Sequence, residues 1–198
     1  MDPSVISRNK VEPELKYRPL EAIGVKEFAK LFTANGWDVE WLPEIENSTY
    51  FFDTPSHELF GKNQLLRLRH KIEGGWSLGY KRTMSIHGDK PYLLRFLIRA
   101  RAEEGGIKHV KSFADNFAIM KDEPVLTLTE SSQYKRFLIR KNNQTYALHF
   151  SDKDYLDSTN QTVTRQGIEI EGKGKIGLSR EMLMLELLII FSREKNFH

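Results

Sequence analysis

Apolar and polar residues alternate from the first structured stretch of the chain. Val11, Pro13, Leu15 and Tyr17 stand on one side of the pattern, and Glu12, Glu14, Lys16 and Arg18 on the other. A period of two predicts a strand over 11–18. The period then changes: Val25, Phe28, Leu31 and Phe32 recur at helical spacing, and Gly36 closes the stretch, which predicts a helix over 24–35. Strands are predicted at 37–42, 48–52, 65–72 and 75–84, with a short turn or helix at 56–61. A strand at 92–103 follows. Val110, Phe113, Phe117 and Met120 then mark one face of a helix over 107–121. Four more strands are predicted at 125–129, 134–140, 145–151 and 162–173, with Asn142-Asn143 as a turn. Ser179 reads as the N-cap of a closing helix that runs to about 195. Its stripe of Met182, Leu183, Leu185, Leu187 and Leu188 reads as packing core, with a homodimer face as the alternative. Many strands with a few helices predict the α+β class, an antiparallel sheet or barrel with helices outside.

The polar faces of these strands carry the chemistry. Side chains at i, i+2 and i+4 of a strand share a side. That groups Arg67, Arg69 and Lys71 opposite Leu66, Leu68 and Ile72, and Arg99, Arg101 and Glu103 opposite Ile98, Ala100 and Ala102. The last strand sets Glu169, Glu171 and Lys173 opposite Ile168 and Ile170. One such face alone is what a half-solvated strand shows. Together these faces hold ten cations, counting Lys16, Arg18, Lys81 and Arg136 with those named, against five glutamates that include Glu12 and Glu14. Guanidinium forks suit phosphate oxygens. Glutamate pairs suit Mg²⁺ or Mn²⁺, hard ions that also bridge to phosphates. A polyanion with metal is the ligand class this pattern points to.

Composition narrows the alternatives. Among 198 residues, 30 basic side chains are nearly balanced by 27 acidic ones, a net charge of +3, so the chain is not a uniformly basic nucleic-acid binder. There is no cysteine, which excludes disulfides and thiolate metal sites. The first ten residues hold no apolar core of a secretory signal, and the longest apolar run, 187–191, is too short for a bilayer span. A cytoplasmic protein that binds neither membrane nor nucleic acid is the expectation.

Seven motifs, in order, resemble the CYTH superfamily of triphosphate tunnel metalloenzymes. They are Glu12-Pro13-Glu14-Leu15-Lys16; Tyr50-Phe51-Phe52-Asp53-Thr54-Pro55; Leu66-Arg67-Leu68-Arg69; and the strand from Trp76 to Lys81. Arg101-Ala102-Glu103, Lys135-Arg136 and Glu169-Ile170-Glu171 complete the set, which covers about 11–173 of a single domain spanning 1–198. The resemblance implies an eight-stranded antiparallel tunnel with helices on its outside. It implies catalytic roles for Glu12, Glu14, Lys16, Arg67, Arg69 and Lys81. Substrate contacts are implied for Lys16, Arg67, Arg69, Lys81, Arg99, Arg101 and Arg136, and metal ligation of Mg²⁺ or Mn²⁺ for Glu12, Glu14, Glu169, Glu171 and Asp152. The phase of 145–151 turns Thr145, Ala147, His149 and Ser151 inward, so Asp152 reaches the interior only across a bulge.

Other candidates read as structural. His149 on the inward face suits a proton shuttle or phosphate donor but more often is incidental. Trp37 and Trp41 read as packing residues, and Gly74-Gly75 and Gly105-Gly106 as turns rather than phosphate loops. The expected activity is metal-dependent hydrolysis of inorganic tripolyphosphate or an organic triphosphate. The alternatives are a class IV-type adenylyl cyclase making cyclic AMP from ATP, and a non-catalytic polyphosphate or nucleotide binding module.

Overall fold

The alternating stretches form strands and the periodic ones helices. In the computed structural model, residues 10–18, 24–72, 74–86, 92–102 and 104–173 are described. The order is β1 (Lys10–Tyr17), α1 (Val25–Ala34), β2 (Asp38–Asp53), α2 (Glu58–Gly61), β3 (Gln64–Lys71), β4 (Gly75–Ile86), β5 (Tyr92–Ala102), α3 (Ile107–Asn116), β6 (Val125–Lys141), β7 (Gln144–Asp157) and β8 (Thr162–Lys173). Every strand pairs antiparallel with two neighbours, in the order β1-β5-β4-β3-β2-β6-β7-β8, and β1 pairs with both β5 and β8. This is a mostly antiparallel α+β architecture. The helix expected after Ser179 and the residue Glu103 lie outside the described residues.

Two strands are longer than their sequence pattern suggests. The segments expected at 37–42 and 48–52 are one strand, β2, whose register shifts between Leu42 and Ile45 around Pro43. Those expected at 125–129 and 134–140 are likewise one strand, β6, and its pairing with β7 holds from Leu128 to Lys141 without a shift. Asn142 and Asn143, at φ 51° and 61°, form the two-residue turn between them. Left-handed geometry at both positions matches the twist of a hairpin, and asparagine tolerates it. Pro13 pairs with Leu94 of β5, while the ladder to β8 begins only at Glu14. The missing N–H of proline therefore falls where β1 has one neighbour.

The apolar faces of the strands point outward, against the helices. Phe28, Ala29 and Phe32 of α1 pack on Phe137, Ile139, Tyr146, Leu148, Phe150, Ile168 and Ile170. Val110, Phe113 and Ala114 of α3, with Leu59 of α2, cover Leu66, Leu68, Leu78, Tyr80, Ile98 and Ala100. α3 stops before the expected 121 because Ala118 turns left-handed at φ 49°. Phe117 and Met120 still pack against the same core. With both apolar faces spent on helices, the opposite, charged faces are left to line an interior. Among the described residues no helix is long and apolar enough to cross a membrane.

Candidate functional site

A cavity of about 390 Å³ takes at least one side chain from every strand. β1 gives Lys16; β3 gives Arg67, Arg69 and Lys71; β4 gives Lys81; β5 gives Arg99; β6 gives Arg136; and β7 gives Lys153. Those are eight cations. Among the described side chains the carboxylates in the same wall are three, Glu130, Glu169 and Glu171, and Asn47, Tyr134, His149 and Tyr155 add polar atoms. The volume lies within the range of roughly 300–1,000 Å³ found for small-molecule sites. A second cavity of about 330 Å³ shares Lys16, Lys153, Tyr155 and Glu169 with the first and adds Arg18, Arg165 and Gln166.

Strand phase positions these groups, and burial sets their electrostatics. Arg67 lies across Gly79, its register partner on β4, where a Cβ would stand 3.4 Å from the guanidinium Nε. Arg69 Nε donates to Thr49 Oγ1 at 3.0 Å, and Arg136 donates to the Pro43 carbonyl through both Nε and an Nη. Burial, with Arg69 and Arg99 alongside, pulls Arg67 down to about 10. Burial and the same arginines also lower Lys71. Such crowding costs free energy in the empty protein, and an anion relieves it.

The carboxylates are held by the remaining lysines. Glu169 accepts from Lys16 Nζ at 2.8 Å and from Lys153 Nζ at 3.4 Å. Burial alone would raise Glu169, yet Lys16, Lys153 and Lys81 keep its carboxyl well below the usual range. Burial would lower Lys153, but Glu169, Tyr134 and Glu130 hold it above its ordinary value. Burial pushes Tyr155 up to about 12, against the pull of Lys153 and with the help of Glu130. His149 Nε2 lies 4.0 Å from Glu171.

Of the residues singled out in the sequence, Lys16, Arg67, Arg69, Lys81, Arg99, Arg136, Glu169 and Glu171 meet in the cavity. The backbone of β1 puts Glu14 opposite Glu171 and Lys16 opposite Glu169, and pairs Glu12 with Arg95. The side chains of Glu12, Glu14 and Lys173 lie outside the described part. One expectation needs correction. Asp152 does not enter the cavity: the ladders of β7 to β6 and β8 run through it without a bulge, so it faces outward, exposed, and bonds Gln166 Nε2 at 3.1 Å. Arg101 shares the inward face of β5 with Arg99 but stands one residue from the strand's end, exposed and outside the wall of this cavity. Ser151 is buried and turned to the Gly167 carbonyl at 3.2 Å. Glu130, Tyr134, Lys153 and Tyr155 were not anticipated. The signal was present: Glu130, Ser132, Tyr134 and Arg136 alternate without a break, as do Ser151, Lys153 and Tyr155.

Solved structures share this architecture. The PH1819 protein from Pyrococcus horikoshii OT3 matches with a TM-score of 0.58 at 16% identity, covering 94% of this chain and 91% of that one. A candidate adenylyl cyclase from Hippeastrum, HpAC1, described as having a dominant triphosphatase activity, matches with a TM-score of 0.57 at 14% identity, covering 93% and 87%. The chain shares the fold of these proteins. A candidate adenylate cyclase from Bacillus halodurans follows at a TM-score of 0.55 and 16% identity, covering 94% and 92%. These neighbours are CYTH-type proteins of the triphosphate tunnel metalloenzyme superfamily. At such identities the likeness is one of fold. No family model and no curated protein matches the sequence.

Proposed function

We propose that the ring of eight strands is a tunnel that binds a triphosphate and hydrolyses it. The observation that carries this reading is the gathering of eight cations from six different strands around one cavity, against three carboxylates among the described side chains. Arginines on neighbouring strands offer bidentate donors to successive phosphates. Rigid strands hold those donors in place before the substrate arrives, and fixed positive charge at the transferring phosphoryl group stabilises its transition state. Phosphoryl transfer asks little covalent chemistry of a protein beyond position and charge. Hydrolysis needs phosphate contacts and a water at the terminal phosphorus, whereas cyclisation needs a ribose hydroxyl aimed at the α-phosphorus.

The donor set suits a hard divalent ion. Glu169 and Glu171 bring carboxylate oxygens to the cavity wall, and register places Glu14 beside Glu171. The described residues alone contain no group of three or more His, Cys, Asp or Glu that could hold a metal. Glu12 and Glu14 would complete the set with Glu169 and Glu171 for Mg²⁺ or Mn²⁺. When bound, that ion supplies a Lewis acid to the phosphoryl oxygens. Lys16 and Lys153 meanwhile neutralise Glu169 in the protein as it stands.

A second reading has one specific support. β7 brings no carboxylate to the cavity, since Asp152 faces outward and Ser151 is tied to Gly167, and this favours binding without turnover. One assay separates the readings: tripolyphosphate, thiamine triphosphate and ATP, each with Mg²⁺ or Mn²⁺. Phosphate release is the expected result. Cyclic AMP with pyrophosphate would make the chain a cyclase, and tight binding without products a sensor. Failure of all three to bind would remove the triphosphate reading.

A further inference from the structure

The cavity wall is not uniformly suited to phosphate. Between β2 and β6, two acceptor oxygens are buried without a hydrogen-bond partner among the described residues, Asn47 Oδ1 and Glu130 Oε1. Their residues are 5% and 3% exposed, and both line the main cavity. Register brings them together: Asn47 pairs with Ser132, and Thr49, two residues on, pairs with Glu130. The neighbouring polar atoms are already engaged. Thr49 Oγ1 takes the Arg69 donor at 3.0 Å, and Ser132 Oγ donates to the Asn47 carbonyl at 3.4 Å.

Buried polar atoms are nearly always satisfied, so two adjacent orphan acceptors point to a missing donor. A phosphate cannot supply it, because ionised phosphate oxygens only accept and would be repelled by Glu130. A further metal ion is opposed by Lys153 Nζ, 3.9 Å from the other oxygen of Glu130, and by Arg69 one strand away. The Tyr155 hydroxyl already hydrogen-bonds the Glu130 carboxylate, yet Glu130 Oε1 and Asn47 Oδ1 keep acceptor capacity that a group bearing neutral N–H or O–H donors would fill. Apolar contact lies next to it: Phe51 follows Thr49 on the same face of β2, and Leu65 precedes Arg67 on the same face of β3, both in the cavity wall. Arg67 is the register partner of Phe51, so the phosphate grip begins where this patch ends.

We infer that the Asn47–Glu130 corner, with Phe51 and Leu65, receives the organic part of the substrate, and that the chain selects an organic triphosphate with N–H or O–H donors over inorganic tripolyphosphate. This rests on the triphosphate reading and names the substrate class within it. Tripolyphosphate fills the cationic wall but leaves both orphan oxygens unmet. An organic triphosphate satisfies them and covers the two apolar side chains.

Calorimetric titration of the full chain, without divalent ion so that binding is read apart from turnover, tests it with ATP, CTP, thiamine triphosphate and tripolyphosphate. At least one organic triphosphate is expected to bind tenfold or more tighter than tripolyphosphate. Glu130→Gln and Asn47→Ala should each shrink that ratio at least threefold, whatever they do to tripolyphosphate itself. Melting curves establish that each variant folds, and Asn47→Ala carries the test if Glu130→Gln does not fold. Tripolyphosphate binding as well as all three organic ligands, or ratios that move less than threefold in the folded variants, would overturn the inference and leave the triphosphate reading intact. Loss of all binding in the unaltered chain would instead overturn the triphosphate reading.

Discussion

At the scale of single residues, Arg67 and Glu169 define what the site does. Arg67 is crowded by Arg69 and Arg99 in a buried wall, so its charge is available to a ligand rather than to the protein. Arg67→Ala should weaken tripolyphosphate binding by roughly 2–5 kcal/mol, the range for truncating a desolvated charge pair. A solvated arginine would change it by less than about 1 kcal/mol, and titration calorimetry tells the two apart. Glu169 acts in the opposite sense, tying down Lys16 and Lys153. Its folded pKa is depressed, so its contribution to stability is fully present above the ordinary value of 4.5 and is lost as pH falls toward the folded value. Glu169→Gln should therefore flatten the acid limb of the stability curve. At neutral pH it should cost toward roughly 3 kcal/mol, the low end for a broken buried pair, since Lys16 keeps about a third of its exposure. Urea titrations at pH 7 and pH 4 measure both effects.

At the scale of elements, each strand is two surfaces with separate tasks. The outward surface binds a helix, and the inward surface binds charge. Phe113 of α3 and Phe32 of α1 are each nearly fully buried against strand faces. Phe113→Ala or Phe32→Ala should cost about 3–5 kcal/mol of stability by denaturant titration. Were the helices loosely attached decorations, the loss would be near zero. This division made much of the molecule legible beforehand. In 66–69 the alternation of leucine and arginine is unbroken, and the structure places Leu66 and Leu68 in the core with Arg67 and Arg69 in the cavity. Legibility failed where polarity looked like a break. The run Glu130-Ser131-Ser132-Gln133 is polar on both faces and reads as a loop, yet it is mid-strand because its inward face lines a polar cavity instead of a core. The end of β7 was lost in the same way: Lys153 and Tyr155 continue the phase of Ser151, but the acidic residues between them resemble a turn. Burial of an isolated charge cannot be read from a local pattern, since it depends on partners that sit on strands far away in sequence.

At the scale of the whole molecule, the interior is a store of like charge that only a ligand can discharge. Among the described side chains, eight cations face three carboxylates in the main cavity, and two of the cations, Arg67 and Lys71, are lowered in pKa by burial and by their arginine neighbours. A lowered folded pKa on a cation means that its protonated form opposes folding at every pH below that value, so the repulsion is fully present at neutral pH. A bound polyanion removes it, and binding to the native state alone adds RT ln(1 + [L]/Kd) of stability. At a hundredfold excess over Kd this is about 2.7 kcal/mol, which for a chain of this length raises Tm by about 5–10 °C. Each additional phosphate reaches cations on further strands, so at equal concentration the shift should rank tripolyphosphate above pyrophosphate above phosphate. The ranking follows from where the cations stand, on six strands around the cavity rather than at one end. Differential scanning fluorimetry with the three anions at matched ionic strength measures it. Equal shifts for phosphate and tripolyphosphate would mean a generic anion site, because one phosphate would then relieve as much repulsion as three.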